Sequence, residues 1–126
     1  MPAWNDYKRA AKERGSLALE LYVVETTPQK PEQLGDTLPA HLRYQIEQEQ
    51  SGALVFAGPL SDETGEQMQG SGLIIYRAES MAAARAIADA DPMHASGVRS
   101  YTLRKWLVNE GGFQLEVKLS TQSVRL

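Results

Sequence analysis

Cysteine is absent from this 126-residue chain. Without thiols the chain forms no disulfide framework and has no thiolate nucleophile or zinc–cysteine site. Long apolar runs are lacking too, because none approaches the roughly 20 residues of a transmembrane helix. The charged beginning, MPAWNDYKRAAKERG, lacks the apolar stretch of a secretory signal. We therefore expect a cytoplasmic protein that does not engage a membrane.

An excess of positive charge is also missing. The chain has 13 Lys and Arg against 16 Asp and Glu, a net charge of −3. Nucleic-acid binding needs a coherent basic surface that neutralises phosphates, so we expect no nucleic-acid partner. Apolar residues make up 42% of the chain and charged residues 23%. This composition is typical of a folded globular protein, and the length fits one domain with its own core.

Apolar patterning and turn residues predict six main elements. Four segments have the pattern of strands: SLALELYVVET, ALVFAG, GLIIYRA and VRSYTLRKWLV. Two helices fall after the first and third of these strands, the second helix being capped by Ser80. The order β-α-β-β-α-β indicates an α+β, ferredoxin-like fold, a four-stranded antiparallel sheet with two helices on one face.

The first of these two helices is expected to begin at Asp36 or Thr37, with Pro39 tolerated in its first turn. Three apolar residues recur every four positions and are predicted to form its core-facing stripe: Leu38, Leu42 and Ile46.

Both ends of the chain extend beyond this fold. Residues 1–16 are predicted to form a helical extension, capped by Asn5 and ended by Gly15. Residues 17–108 form the ferredoxin-like domain. Residues 109–126 carry a fifth strand, FQLEVKLS, which either extends the sheet or reaches a partner.

The strands carry apolar side chains on both faces, although the helices cover only one. A large exposed apolar sheet face usually marks an interface. We therefore expect a homodimer in which two sheets pack face to face.

The topology brings several polar segments to one edge of the sheet. The end of the first strand, the start of the first helix with His41, and the loop after Gly58 and Pro59 all lie there. The second helix ends at the same edge with Asp91. A site built from these segments is the functional prediction.

His41 is the pivotal residue of this edge. In a purely structural interpretation it is a partly buried histidine hydrogen-bonded to a nearby loop, or an exposed one. In the functional interpretation its place in the first helical turn keeps the ring neutral and able to accept a proton. Asp91 or Asp62 would then orient it, although both aspartates are also common turn residues.

Other chemistries are poorly supported. His41 and His94 have no obvious third partner with metal-ligand spacing, and the glycines at 70 and 72 precede a strand instead of joining a strand to a helix. We expect no metal and no cofactor.

Two long stretches carry a family resemblance: PAHLRYQIEQEQSGALVFAGPLSDETG and GSGLIIYRAESMAAARAIADADPMHASGVRSYTLRKWLV. With the histidine at 41, the Gly-Pro at 58–59 and the Ala-Asp-Pro ending the second helix, the chain resembles the YCII-related (YciI-like) domain family from about Leu17 to Val108. The resemblance implies a dimeric α/β barrel built from ferredoxin-like subunits. It also implies a His–Asp active site, and a relative is known that dehydrochlorinates a hydroxyquinol.

Carried over by motif, the catalytic residues are His41 and Asp91, with Asp62 as an alternative. Gly58, Pro59 and Ser61 are expected to bind the substrate. The prediction is a small isomerase, lyase or dehydrochlorinase-like enzyme that moves a proton on a small cyclic molecule. Two alternatives are a small-molecule-binding or interaction module that does no chemistry, and a haem- or metal-binding protein of the kind found on the same barrel.

Overall fold

A computed structural model describes residues 1–126. In chain order the elements are α1 (Trp4–Glu13), β1 (Leu19–Pro28), α2 (Leu34–Gln50), β2 (Leu54–Ser61), β3 (Met68–Tyr76), α3 (Met81–Ala90), α4 (Pro92–Ala95), β4 (Arg99–Val108), β5 (Glu116–Lys118) and β6 (Ser123–Arg125). They form two compact units, residues 20–107 and residues 1–19 with 108–126. None of the helices has both the length and the apolar character needed to cross a membrane.

The larger unit contains a four-stranded sheet in the order β2-β3-β1-β4. Strand β3 pairs antiparallel with both β1 and β2, so β1 and β2 run in the same direction on either side of it. With helices after β1 and β3, this is the predicted β-α-β-β-α-β arrangement. The α+β, ferredoxin-like fold is confirmed.

The core lies between one face of the sheet and α3. Alternate residues of β1 and β3 point to the same side and are almost fully buried: Tyr22, Val24, Ile74 and Tyr76. They pack against Ala84 and Ala88, whose small side chains let the helix approach the strands closely. Ser80 caps α3 as predicted, because its hydroxyl accepts a hydrogen bond from the Ala83 N–H at 3.0 Å.

Helix α2 differs from the prediction at its start. It begins at Leu34, directly after a 3₁₀ turn at Pro31–Gln33, and not at Asp36 or Thr37. The Thr37 hydroxyl donates to the Gln33 carbonyl oxygen at 3.1 Å instead of capping the helix. Pro39 consequently lies inside the helix.

The predicted core stripe of α2 is wrong. Leu38, Leu42 and Ile46 are 44%, 48% and 54% exposed, and no residue of α2 is fully buried. The helix is joined to its neighbours by polar contacts, among them a 2.6 Å hydrogen bond from the Tyr44 hydroxyl to the Ile87 carbonyl oxygen. The periodicity predicted the helix correctly, but the apolar face borders an open cavity instead of a packed core.

The opposite face of the sheet is only partly covered. Leu21 and Ile75 are buried there, whereas Phe56 and Trp106 are 47% and 45% exposed. Phe56 lies on this face because it pairs with Ile75, whose neighbours in β3 point to the helices.

The smaller unit contains α1 and a hairpin. Helix α1 begins at Trp4 after Ala3, so the prediction that Asn5 caps it is wrong. It ends at the predicted place, where Gly15 adopts a φ of +89° and its N–H bonds to the Lys12 carbonyl. The predicted fifth strand over FQLEVKLS is wrong as a single long element. Its central residues 116–118 pair with β6 in a separate two-stranded sheet, because a turn with Gln122 at a φ of +51° folds the segment back on itself.

Candidate active site

The floor of the cavity is the helix-facing side of three neighbouring strands. Thr26 of β1 lies opposite Gly72 of β3, and Gly72 lies opposite Pro59 of β2. A Cβ added at Gly72 would lie 2.9 Å from the Gly58 carbonyl oxygen, a distance too short for a side chain. The glycine therefore allows β2 and β3 to approach each other beneath the cavity.

The wall of the cavity is formed by α2. Side chains spaced by three and four residues along this helix face the strands: Leu38, His41, Leu42 and Gln45. Because α2 stands off from β2 and β3, a cavity of about 380 Å³ remains between them. This volume is in the range typical of small-molecule sites.

His41 is hydrogen-bonded to Asp91. Its Nδ1 atom lies 2.8 Å from Oδ1 and 2.9 Å from Oδ2 of the carboxylate. The Asp91 side chain is completely buried, and the His41 side chain is 14% exposed. The pair therefore consists of an enclosed carboxylate behind an imidazole that lines the cavity.

Local structure explains the position of Asp91. The residue ends α3 and caps α4, where its Oδ1 accepts a hydrogen bond from the Met93 N–H at 2.9 Å. Pro92 is the first residue of α4, a position that its fixed φ and missing N–H suit well.

His41 does not lie in the first turn of its helix. Counted from Leu34 it is the eighth residue, so the helix dipole at the N-terminus does not act on it as predicted. Asp91 fixes the ring instead. When the imidazole is neutral, its Nδ1–H donates to the carboxylate and Nε2 is left as the acceptor toward the cavity.

Two tyrosines lie in the surroundings of this pair. Burial raises the pKa of Tyr44, and the negative charge of Asp91 raises it further. Burial also raises the pKa of Tyr76, again with Asp91 adding to the effect. Both phenols therefore stay neutral at physiological pH, and neither competes with His41 as a base.

The structure separates the predicted loop residues into two groups. Gly58 and Pro59 line the cavity, and Ser61 and Asp62 do not.

Asp62 accepts hydrogen bonds from the Thr64 N–H, the Thr64 hydroxyl and the Gly65 N–H. The Thr64 hydroxyl, with further bonds from the loop backbone, lowers the pKa of this carboxyl. His41 is thus paired with Asp91 and not with Asp62, whose side chain is bonded within its own turn.

The side chain of Ser61, the last residue of β2, also makes a local hydrogen bond. Its hydroxyl donates to the Asp62 carbonyl oxygen at 2.8 Å. Ser61 does not line the cavity, and its part in substrate binding stays a prediction.

Sequence reasoning missed four polar residues that line the cavity: Thr26, Gln45, Ser71 and Arg99. A signal for two of them was available. Thr26 continues the helix-facing series of Tyr22 and Val24, and Arg99 begins the series of Tyr101 and Leu103. Extending the period of two to the ends of these strands would have placed both on the helix side.

His94 also has a defined role in this region. Its Nδ1–H donates to the Ala88 carbonyl oxygen at 2.7 Å. Its Nε2 lies 3.0 Å from the Thr26 hydroxyl, which donates to it when the ring is neutral. His94 thereby orients a hydroxyl of the cavity floor without lining the cavity itself. No group of three or more His, Asp or Glu side chains in residues 1–126 is arranged to hold a metal ion.

Two solved structures are similar to this chain, and the first of them shares its fold. A 5-chloro-2-hydroxyhydroquinone dehydrochlorinase from Burkholderia phenoliruptrix AC1100, solved in complex with 2,5-dihydroxybenzoquinone, is similar with a TM-score of 0.53 and 22% identity, over 68% of this chain and 92% of that chain. An antibiotic biosynthesis monooxygenase is similar with a TM-score of 0.42 and 14% identity, over 73% of this chain and 99% of that chain. No curated protein sequence matches.

The family comparison is more specific than these structural likenesses. The model of the YCII-related domain matches residues 19–107, which include the main sheet apart from the last residue of β4 and every residue that lines the cavity. The resemblance noted in the sequence is confirmed. The chain belongs to the YCII-related domain family.

Proposed function

We propose that this protein is a small enzyme of the isomerase or lyase type in which His41 transfers a proton on a compact cyclic molecule. The hydrogen bond between His41 Nδ1 and the buried Asp91 carboxylate carries the proposal. It supplies the arrangement that general acid–base catalysis needs, a base at the cavity surface oriented by a second group.

The proposed chemistry follows from the tautomer. Nε2 takes a proton from a carbon or hydroxyl of the bound molecule, and the resulting imidazolium is stabilised by the Asp91 carboxylate. In an isomerase the same proton returns to another atom of the molecule. In a lyase the electron pair left behind expels a leaving group, and the proton passes to solvent. Neither course requires a redox cofactor.

The expected substrate class is cyclic and enolisable. The dehydrochlorinase with the similar fold acts on a hydroxylated aromatic ring, and its structure contains a dihydroxybenzoquinone. The cavity here is of a size for one such ring. Its floor at Gly58 and Pro59 is backbone and ring carbon, which leaves space for a flat molecule.

The proposal is tested by proton exchange. Cyclic enolisable compounds, including 2,5-dihydroxybenzoquinone, are incubated with the protein in D₂O, and NMR follows deuterium incorporation and conversion. Wild-type protein is expected to accelerate exchange or conversion of at least one of them. A compound that the His41→Gln variant converts at the wild-type rate would contradict the proposal.

A binding module without catalysis is the second candidate function. The exposed apolar stripe of α2 favours this function, because an apolar surface beside a cavity suits ligand binding. In a binding module the His41–Asp91 hydrogen bond mainly holds this helix in place. The same experiment separates the two functions. If at least one compound binds in the cavity and none of the set is exchanged or converted, the result supports the binding module.

We also propose that the protein is a homodimer formed through the sheet face opposite the helices, where Phe56 and Trp106 are nearly half exposed. Sedimentation equilibrium at micromolar concentration is expected to give twice the 13.9 kDa chain mass. Trp106→Glu is expected to shift the protein to the monomer, and the control Ala82→Glu, at an exposed position of α3 on the helix side of the sheet, is expected to leave it dimeric. A monomeric wild-type protein would contradict the proposal.

A further inference from the structure

The titratable groups that line the cavity are all basic. Among its 15 lining residues, Arg99 is the one permanent cation, His41 is the one other titratable group, and none is an aspartate or glutamate. Asp91 lies behind His41 with no exposed surface, and the imidazole stands between it and the cavity. An anion inside the cavity would therefore meet a guanidinium and an imidazole and would face no carboxylate at the wall.

The backbone holds the Arg99 side chain in place. Its Nη1–H donates to the Gly70 carbonyl oxygen at 2.5 Å. Gly70 adopts a φ of +83°, and a Cβ at this residue would lie 2.7 Å from Cγ of Pro28. Only glycine combines this backbone conformation with this contact, so the carbonyl is fixed in the orientation that anchors the guanidinium.

The anchored guanidinium keeps most of its donors. An arginine has five N–H donors in a planar fork, and the bond to Gly70 uses one of them. Burial lowers the pKa of Arg99 and the charge of Asp91 opposes that change, yet guanidinium remains protonated throughout the physiological range. A half-buried, oriented guanidinium binds carboxylate or enolate oxygens by charge-assisted, often bidentate hydrogen bonds.

We propose that Arg99 makes the cavity selective for an anionic ring compound, one that carries a carboxylate or an ionised enol or phenol. The oxygens of this group bind the free N–H donors of Arg99, and the ring lies across the floor formed by Pro59 and Gly72, facing His41. This inference rests on the proposed function for the identity of the site. It concerns binding, so it can be tested without turnover.

The test compares two ring compounds of nearly equal shape. Sodium benzoate and benzamide are titrated into the full-length protein by calorimetry or ligand-observed NMR. Wild-type protein is expected to bind benzoate about 10-fold or more tightly than benzamide, as a charge-assisted hydrogen bond is worth roughly that much. Arg99→Gln is expected to abolish this preference, and Arg99→Lys to retain part of it because the charge remains.

Matched variants make the outcome specific. Arg104→Gln removes a cation on the opposite face of the sheet, where the side chain is 76% exposed, and is expected to keep the preference for benzoate. His41→Gln is also expected to keep a preference, since Arg99 remains. The preference of wild-type protein should weaken as salt is added, a readout that does not depend on the folding of any variant.

Three results would overturn the inference: equal affinity of wild-type protein for the two compounds, no benzoate binding at the highest soluble concentration, or an unchanged preference in a folded Arg99→Gln variant. Failure of the proposed function has a different signature. If only the proposed function is wrong, the preference for the anion and its dependence on Arg99 persist, while no compound is exchanged or converted.

Discussion

Replacing His41 by glutamine is expected to reduce turnover about 10²–10⁴-fold, the usual contribution of a positioned general acid or base. Glutamine can still donate a hydrogen bond to Asp91, but it has no basic nitrogen to present to the cavity. Affinity for a bound ring compound is expected to change by much less than turnover, because the rest of the cavity is unaltered. Steady-state kinetics with the compound identified by proton exchange measures kcat and KM separately.

The control for this variant must address helix α2. No residue of this helix is fully buried, so the loss of turnover could follow from a loosened helix. Tyr44→Phe removes the other side-chain hydrogen bond from α2 to the segment of α3 and leaves the cavity lining intact. It is expected to retain nearly full turnover. If Tyr44→Phe lost as much activity as His41→Gln, the role of His41 as a base would be rejected in favour of a structural one.

Replacing Asp91 separates the orienting role from the structural one. Asp91→Ala removes the bond to His41 and the cap of α4 from a fully buried position, so we expect the free energy of unfolding to fall by about 2–4 kcal/mol. Asp91→Asn keeps the shape and the Oδ1 that caps Met93. Its amide N–H₂ then faces Nδ1 of His41 and favours the tautomer with the proton on Nε2. Turnover is expected to fall at least 10²-fold with a smaller loss of stability.

Asp62→Asn is the matched control, because it makes the same chemical change in the loop of β2. Its carboxylate is bonded within its own turn, so kcat is expected to stay near the wild-type value. Denaturant unfolding and steady-state kinetics of the three aspartate variants give both quantities. Full turnover in Asp91→Asn, or a loss in Asp62→Asn equal to that in Asp91→Asn, would contradict the assignment of Asp91.

The sequence was sufficient for the sheet and its order. Strand β1 and the second half of β3, residues 72–76, carry the apolar residues that predict strands, and the spacing of helices between strands leaves few topologies. The first half of β3, residues 68–71, has no such pattern, so the strand begins four residues before the predicted start. The C-terminal extension was harder to predict. The turn that contains Gln122 at a positive φ has no glycine or proline to indicate it, so the sequence predicts the strand at residues 113–120 without the hairpin partner that follows it.

The helix α2 shows why the site was only partly predictable. Its apolar stripe has the spacing of a buried face, and periodicity does not distinguish a face that packs on a sheet from one that borders a cavity. The topology predicts that His41 and Asp91 lie at one edge of the sheet, and the family resemblance implies that they form the catalytic pair. The alternation of β4 predicts which side of the sheet Arg99 faces, but it does not predict the hydrogen bond to the Gly70 carbonyl, a backbone contact that no sequence pattern encodes.

In the proposed mechanism Asp91 holds the proton of a neutral His41 ring on Nδ1 and leaves Nε2 as the base toward the cavity. Two-dimensional ¹H–¹⁵N NMR of the imidazole nitrogens tests this tautomer, with His94 as the internal reference and His41→Gln for assignment. In wild-type protein at a pH where the ring is neutral, we expect the Nδ1–H tautomer for His41, and a shift toward the Nε2–H tautomer in Asp91→Asn. A wild-type ring with its proton on Nε2, or a tautomer that Asp91→Asn leaves unchanged, would contradict it.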